Sequence, residues 1–192
     1  MFLSSVSRRH DTAVPNYRRA LVPGGTWFFT ANLLNRRSAL LIEEIDAFRQ
    51  ATRRTRARYP FRIDAMVVLP EHVHAVWTLP SGDTNFSIRW SLIKSGFSKL
   101  IPKRERLSRV RLARGERGIW QRRFWEHLIR DEADYGRHVE YCYINPVKHG
   151  LVGRVRDWPH SSFHRDVRAG IFPQDWAGDI EQVGKFGEQI VG

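Results

Sequence analysis

The chain has 192 residues, 42% of them hydrophobic, and a formal net charge of +12 at pH 7. This length suits one domain with short extensions, and the arginine excess favours bidentate contacts to phosphate, so we expect a polyanionic partner. The single cysteine, Cys142, excludes an internal disulfide and a multi-cysteine zinc site. No stretch approaches the roughly 20 apolar residues of a membrane span, and the first residues lack the apolar core of a signal peptide. We therefore expect a soluble cytoplasmic protein with no membrane partner.

The two ends of the chain differ in charge from its middle. Residues 1–20 are polar and basic, which predicts an arm that precedes a folded domain at 21–168. Residues 169–192 predict an acidic tail, because 171–192 hold four acidic residues and one lysine, a net charge of −3 against +15 for the remainder. The tail either folds back on the basic body and competes with a polyanion or is a loosely attached surface segment.

The first half of the domain predicts three strands and a helix. The run TWFFTANLL (26–34) is aromatic and β-branched, which predicts a strand. Apolar residues at helical spacing predict a helix from Ser38, as its N-cap, to the basic run RRTRAR (53–58). FRIDAMVVLP (61–70) and HVHAVWTL (72–79) predict a hairpin-like pair of strands. In the first of these two strands, one side is expected to carry Phe61, Ile63, Ala65, Val67 and Leu69.

The second half continues with a helix, a loop, a strand and a last helix. An apolar stripe from Phe86 to Leu100 predicts the second helix, and the arginine-rich segment 102–118 predicts a mobile basic loop. IWQRRFWEHLI (119–129) is a candidate strand, and Asp131 can cap a helix that runs until Pro146 disturbs it. The order is that of a ferredoxin-like βαββαβ sandwich of the α+β class, with an antiparallel sheet and an additional C-terminal catalytic helix.

Two histidines interrupt an apolar strand. Side chains two apart on a strand share a face, so His72 and His74 lie side by side while Val73 and Ala75 face the opposite layer. Such a pair suits a shared metal ion, with Glu71 as a carboxylate that could orient one ring. The alternative is that both are ordinary sheet-surface histidines and that Glu71 is a plain turn residue.

The last helix offers a nucleophile and a third ligand. Tyr141 and Asn145 are four residues apart and share a helical face, although the proline after Asn145 favours a kink there. With the two histidines they would form an open three-ligand metal site beside a phenol nucleophile. Tyr143 is the rival nucleophile and Tyr135 a more distant one; Tyr143 faces about 200° away from Tyr141 on an α-helix. The alternative is that the tyrosines only anchor the helix.

These motifs resemble those of a known family. EHVHAVW is similar to the histidine motif of the HUH single-strand nucleases, and YCYIN to the Y-x-x-x-(Q/N) signature of single-tyrosine insertion-sequence transposases. The blocks YRRALVPGGTWFFT, VVLPEHVHAVWTLP, GIWQRRFWEHLIRDEADYGRHVEYCYINPVKHGLV and DWPHSSFHR resemble the REP-associated tyrosine transposases, from about Tyr17 to Arg165. The resemblance implies a ferredoxin-like fold. It also implies His72, His74 and Asn145 as metal ligands, with Asn145 where the insertion-sequence branch usually has glutamine, and Tyr141 as the nucleophile.

The resemblance also implies an activity. It predicts a metal-dependent endonuclease and strand transferase that acts on palindromic, REP-like hairpins of single-stranded DNA through a 5′-phosphotyrosine intermediate. We expect Mg²⁺ or Mn²⁺, since Mn²⁺ tolerates two imidazole nitrogens better. We expect a monomer, with a homodimer as the alternative. A hairpin-binding protein without chemistry and an HUH initiator of replication or transfer are the alternative functions.

Arginines and tryptophans are the expected contacts to DNA. Arginines would bind phosphates and tryptophans would stack on unpaired bases. The alternative is that the arginines are only solvated and that Trp120 belongs to the core. The residues expected to bind DNA are Arg104, Arg106, Arg109, Arg111, Arg114, Arg122, Arg123, Trp120 and Trp125.

Overall fold

The computed structural model describes residues 21–105 and 109–178. The predicted arm (1–20), Arg106 and most of the acidic tail (179–192) lie outside the described residues. The strands are β1 Thr26–Asn32, β2 Arg62–Val68, β3 His72–Thr78 and β4 Trp125–Leu128. The helices are α1 Leu40–Glu43, α2 Ile45–Arg58, α3 Phe86–Leu100, α4 Arg109–Ala113, α5 Glu132–Lys148 and α6 Phe163–Arg168, with a 3₁₀ turn at Val155–Asp157 before α6.

The four strands form one sheet in the order β2-β3-β1-β4, and each neighbouring pair is antiparallel. Helices α2 and α3 pack on one face, and α5 and α6 pack on the other. This arrangement confirms the predicted α+β class with its ferredoxin-like order and additional helix. Over the described ranges, no helix combines the length and the apolar content that a membrane span requires.

Strand β3 supplies side chains to both faces. Val73, Ala75 and Trp77 are buried in the core with α2 and α3, as the alternation predicts. His72 and His74 point the other way, toward α5. The strand next to it, β1, has the same alternation, with Phe29 toward α3 and Phe28 toward α5. The sheet therefore places the two histidines against the last long helix.

The prediction that one side of β2 carries five apolar residues is wrong. The pairing register shifts between Ile63 and Ala65, so Asp64 is an extra residue in the ladder. Phe61 and Ile63 pack toward α2 and α3, whereas Ala65 and Leu69 belong to the core under α5. A one-residue bulge reverses the facing of every residue beyond it.

Two helix predictions need correction. The helix predicted from Ser38 is interrupted at Glu44 (φ −114°, ψ 35°), which separates α1 from α2. The N–H of Leu41 donates to Pro70 O at 3.1 Å, and this bond holds α1 against the turn between β2 and β3. Helix α5 begins at its predicted N-cap, Asp131, but continues through Pro146 to Lys148. Burial of α5 against the sheet offsets the cost of a proline in a helix, about 3 kcal/mol.

The segment predicted as a mobile loop contains structure. Helix α4 forms within 102–118, and Arg117 donates to the carbonyl oxygens of Ile101 (3.0 Å) and Pro102 (2.7 Å). Arg117 also pairs with Glu105, and this hydrogen bond lowers the pKa of the Glu105 carboxyl to about 2. Arg117 is therefore held in place by local contacts and is not part of a mobile loop.

Candidate active site and nucleic-acid interface

The two histidines of β3 point their outer nitrogens at one another. His72 Nε2 and His74 Nε2 lie 3.0 Å apart, and both side chains are fully buried. The other nitrogen of each ring is already engaged: His72 Nδ1 donates to Glu71 Oε1 at 2.9 Å, and His74 Nδ1 lies 2.9 Å from Thr30 Oγ1 on β1. These contacts fix the orientation of both rings and leave both Nε2 atoms facing one point.

The electrostatics around His72 favour its neutral form. Burial raises the pKa of the Glu71 carboxyl, but its hydrogen bond to His72 and the nearby charge of Arg36 outweigh burial and lower the pKa below its ordinary value. Burial lowers the pKa of His72, and Glu71 opposes that effect only in part. His72 is therefore neutral near pH 7, with its proton on Nδ1 and a lone pair on Nε2.

Helix α5 brings Tyr141 beside the histidine pair and carries Asn145 on the same helical face. The Tyr141 ring centroid lies 5.0 Å from that of His74, and Phe28 packs against both rings. Asn145 is fully buried, one turn farther along the helix. Its Nδ2 donates to Tyr141 O at 3.3 Å, whereas its Oδ1 is buried without a hydrogen-bond partner among the described residues.

This donor set fits a divalent cation. A buried amide oxygen without a partner is costly in a folded protein, and two facing imidazole nitrogens repel one another when both carry a lone pair, as they do if His74 donates to Thr30 through Nδ1. Two nitrogens bound at about 2.1 Å and about 90° to one metal lie about 3.0 Å apart, as the two Nε2 atoms do. His72, His74 and Asn145 could thus hold an ion that accepts oxygen and nitrogen ligands, such as Mg²⁺ or Mn²⁺.

Two further residues at this site were missed in the sequence. Lys148 Nζ lies 3.4 Å from Tyr141 Oη and 4.6 Å from the centre of the Tyr141 ring. His149 has its ring centroid 5.3 Å from that of His72. The sequence spacing could have predicted the Lys148 contact, because Lys148 follows Tyr141 by seven residues, which is about two helical turns. Because the helix was expected to end near Pro146, Lys148 was not placed on it.

Tyr143, the rival nucleophile, lies elsewhere. Its hydroxyl donates to Asp166 on α6 and lies 3.2 Å from Ser162 Oγ. Burial raises the pKa of the Tyr143 phenol, and the hydrogen bond to Asp166 raises it further. Tyr135 is half-buried at the edge of the core under α5. Neither phenol has a ring contact with the histidine pair, so Tyr141 is the tyrosine that the described structure places beside it.

The residues predicted to contact DNA do not share one face of the sheet: Trp120 packs on the side of α2 and α3, whereas Trp125 packs against Phe28 on the side of α5. A groove of about 1060 Å³ between α3 and the segment 111–124 is lined by Arg111, Trp120 and Arg122. Trp120 also packs against Phe48 and Phe97, so it contributes to the core as well as to the groove. Of the remaining predicted residues, Trp125 is exposed on β4, and the exposed arginines outside the groove are Arg104, Arg109, Arg114 and Arg123.

The groove adjoins the histidine pair through the backbone. Gln121 N–H donates to Asn32 O at 3.0 Å, and Asn32 is the register partner of His72. Lys94 of α3 lies in the groove and donates to Gln121 O and Arg122 O. Burial lowers the pKa of Lys94 to about 8. One end of the groove therefore lies near the backbone of His72.

A second group of side chains has metal-ligand chemistry. One ligand atom from each of His127, Asp134 and His138 lies within 4.8 Å of the others. These atoms already bond locally: His127 Nε2 lies 2.8 Å from Asp134 Oδ2, and His138 Nδ1 lies 2.7 Å from Asp134 O. Burial raises the pKa of Asp134, but the hydrogen bond to His127 outweighs it and lowers the pKa. The cluster thus has the features of an ion pair at the start of α5 as well as those of a metal site.

Similarity to known proteins is extensive. No family model matches the sequence. The chain is 51% identical over 175 residues to the REP-associated tyrosine transposase of Escherichia coli K12, which covers 91% of this chain and 98% of that protein. A relative from Haemophilus influenzae is 48% identical over 165 residues, covering 85% of this chain and 94% of its own length. A solved structure of a REP-associated tyrosine transposase bound to a REP hairpin matches with a TM-score of 0.81 and 50% identity, covering 93% of this chain and all of that one.

Proposed function

This chain belongs to the REP-associated tyrosine transposases, which are HUH-family nucleases, and on that premise we propose that it cleaves and rejoins single-stranded DNA at palindromic hairpins. The hairpin substrate is taken from the similar protein whose structure contains a REP hairpin. One observation carries the proposal: the buried Tyr141 ring lies 5.0 Å from the ring of His74, whose Nε2 faces that of His72. Asn145, whose buried Oδ1 is unpartnered among the described residues, follows Tyr141 by one helical turn.

His72, His74 and Asn145 are the proposed ligands of a Mg²⁺ or Mn²⁺ ion. When bound, such an ion would polarise the scissile phosphate and offset the negative charge that develops on it. Glu71 and Thr30 hold the imidazoles in place through their Nδ1 atoms. The alternative group, His127, Asp134 and His138, fits the proposal less well, because His127 Nε2 already bonds to the Asp134 carboxylate and His138 Nδ1 to the Asp134 backbone carbonyl.

Tyr141 is the proposed nucleophile. Its Oη attacks the scissile phosphorus, the bond from phosphorus to the 3′ oxygen breaks, and that oxygen takes a proton to become a 3′-hydroxyl. The DNA is left with a 5′-phosphotyrosine bond, and the reverse attack by a 3′-hydroxyl rejoins a strand without an external energy source. A phenol in water ionises near pH 10, so the site must assist loss of the phenol proton.

Lys148 is proposed to give that assistance. Its ammonium lies 3.4 Å from Tyr141 Oη, where a positive charge stabilises the phenolate relative to the phenol. Lys148 is half-buried and His149 is exposed, whereas Tyr141 is buried. The DNA would therefore reach the phenol from the side of these two residues.

A monomer is the proposed working unit. Tyr141 and the histidine pair belong to one chain and lie within one ring contact of each other. No second chain is needed to complete the constellation. Arg111, Trp120 and Arg122 are proposed to bind the DNA strand that leads to the site, because their groove adjoins Asn32 and His72.

The proposal is tested by trapping the covalent intermediate. Wild-type protein is incubated with a labelled single-stranded hairpin and Mn²⁺, and a denaturant-resistant adduct is expected. Tyr141→Phe should eliminate the adduct and retain hairpin binding, and Tyr143→Phe, which removes one hydroxyl from the same helix, should form it. A wild-type protein that binds the hairpin but never forms an adduct would favour the non-catalytic alternative.

A further inference from the structure

A separate groove of about 440 Å³ lies along the outer edge of the sheet, between α2 and the segment 159–165. We call it the edge groove. Its floor includes Phe48, Ile63 and Val68, which pack with the core under α2 and α3. The Tyr141 site lies on the opposite face of the sheet, so the edge groove is not part of it.

One wall of the edge groove carries a stripe of arginines. Arg49, Arg53 and Arg56 of α2 line it, and their spacing of i, i+4 and i+7 places them on one helical face. All three are exposed. Arg49 contacts the exposed Asp46 at 3.4 Å, Arg56 donates to the Phe61 carbonyl, and Arg53 has no ion pair among the described residues. No buried carboxylate neutralises this stripe within the described part of the chain.

The opposite wall closes the edge of β2. Val68 N–H donates to His160 O at 2.9 Å, and Met66 N–H donates to Ser162 Oγ at 2.9 Å. Arg165 donates to the carbonyl oxygen of Ile63 at 2.8 Å. An added β-strand would need these backbone groups, so the groove cannot take a peptide by strand addition. A partner would therefore be recognised by the positive charge and the shape of the groove.

The edge groove leads toward the active site. Strand β2 runs from Arg62, at the far end of the groove, to Val68, and it covers about 20 Å at about 3.3 Å per residue. Both residues line the groove. The turn that follows Val68 carries Glu71 and leads into His72. A partner that lies in the groove would therefore approach the turn between β2 and β3, which leads into His72.

We propose that the edge groove binds the phosphate backbone of the double-stranded stem of the DNA substrate, outside the catalytic site. The span from Arg49 to Arg56 is about 10 Å of helix, the length of about three phosphates of one duplex strand. Arginine recognises phosphate oxygens by bidentate hydrogen bonds, and exposed guanidinium groups can form them. This inference rests on the proposed function, because it assigns a further surface to the same substrate.

The test compares two double variants of the same helix. Arg49→Gln with Arg53→Gln removes two charges that line the groove. Arg54→Gln with Arg58→Gln removes two charges at the same i, i+4 spacing from positions that do not line it. The Kd for a fluorescent hairpin is measured as a function of salt. The groove pair should weaken binding about tenfold and reduce the slope of log K against log salt by about two, while the control pair changes Kd less than about twofold.

A charge-preserving variant controls for folding. Arg49→Lys with Arg53→Lys should bind the hairpin within a few-fold of wild type, and thermal melts should show that all variants fold. Equal losses in the groove and control pairs, or no loss in the groove pair, would overturn the inference. The adduct assay separates it from the proposed function. If the Arg49→Gln, Arg53→Gln variant binds the hairpin normally and the wild-type protein forms the covalent adduct, only the edge-groove inference is rejected. If this variant binds weakly and the wild-type protein forms no adduct, only the proposed cleavage reaction is rejected.

Discussion

His72 Nε2 and His74 Nε2 face one another at 3.0 Å, while each ring has its Nδ1 engaged by Glu71 or Thr30. The carboxylate of Glu71 can only accept, so His72 carries its proton on Nδ1 and offers a lone pair on Nε2. If His74 donates to Thr30 in the same way, two lone pairs point at one another, which is unfavourable unless a proton or a cation lies between them. The metal ion proposed to bind both Nε2 atoms would remove this repulsion.

Asn145 should matter to that site through its side-chain oxygen. Asn145→Ala removes the buried Oδ1 and should weaken Mn²⁺ binding at least about tenfold, measured by isothermal titration calorimetry without DNA. Asn145→Asp keeps an oxygen at the position and adds charge, so it should bind Mn²⁺ at least as well as wild type. Unchanged Mn²⁺ affinity in the alanine variant would remove Asn145 from the ligand set.

Lys148 should affect the chemical step more than DNA binding. In Lys148→Met the phenolate loses the neighbouring positive charge, so the single-turnover cleavage rate at saturating hairpin should fall at least about tenfold near pH 7. The rising limb of the pH–rate profile should also move to higher pH. Lys148→Arg keeps the charge and should retain most of the rate. A methionine variant with an unchanged pH profile would show that Lys148 only packs on the tyrosine ring.

Lys94 predicts a pH-dependent affinity for DNA. Burial lowers the pKa of Lys94 to about 8, so the groove beside Trp120 holds this charge below that pH and loses it above. Hairpin affinity at low salt should therefore fall about threefold between pH 7 and 9 through the loss of one positive charge. Lys94→Arg stays charged over this range, and its affinity should be flat. The same decline in the arginine variant would assign the pH dependence to another group.

Tyr143 should be structural. Tyr143→Phe leaves Asp166 without one donor in a buried position, which should lower the free energy of unfolding by about 1–3 kcal/mol. Urea denaturation measures the loss. A Tyr143→Phe protein as stable as wild type would mean that its hydrogen bonds to Asp166 and Ser162 contribute little.

Much of the site could be predicted because it depends on local periodicity. Alternation along a strand places His72 and His74 together, and helical spacing aligns Tyr141 with Asn145. The bulge at Asp64 could not be predicted, since an extra residue in a ladder leaves the apolar alternation of the sequence unchanged. Lys148 was missed for another reason: the buried face of α5 carries the helix through a proline that local rules treat as its end.

The edge groove could not be predicted from sequence periodicity, because its two walls come from distant parts of the chain. Arg53 and Arg56 belong to the basic run that closes the predicted helix, and Arg49 was not singled out, although the spacing of the three arginines already places them on one helical face. A face becomes a groove only when another segment packs opposite it. Here His160 and Arg165 supply the second wall, about a hundred residues later in the chain.

Identification of the residue that carries the DNA tests the central claim most directly. Wild-type protein is reacted with the hairpin and Mn²⁺, the adduct is digested with protease and nuclease, and the modified peptide is mapped by mass spectrometry. We predict a nucleotide linked through its 5′ phosphate to Tyr141. A nucleotide on Tyr143 or Tyr135, or linkage through a 3′ phosphate, would contradict the account.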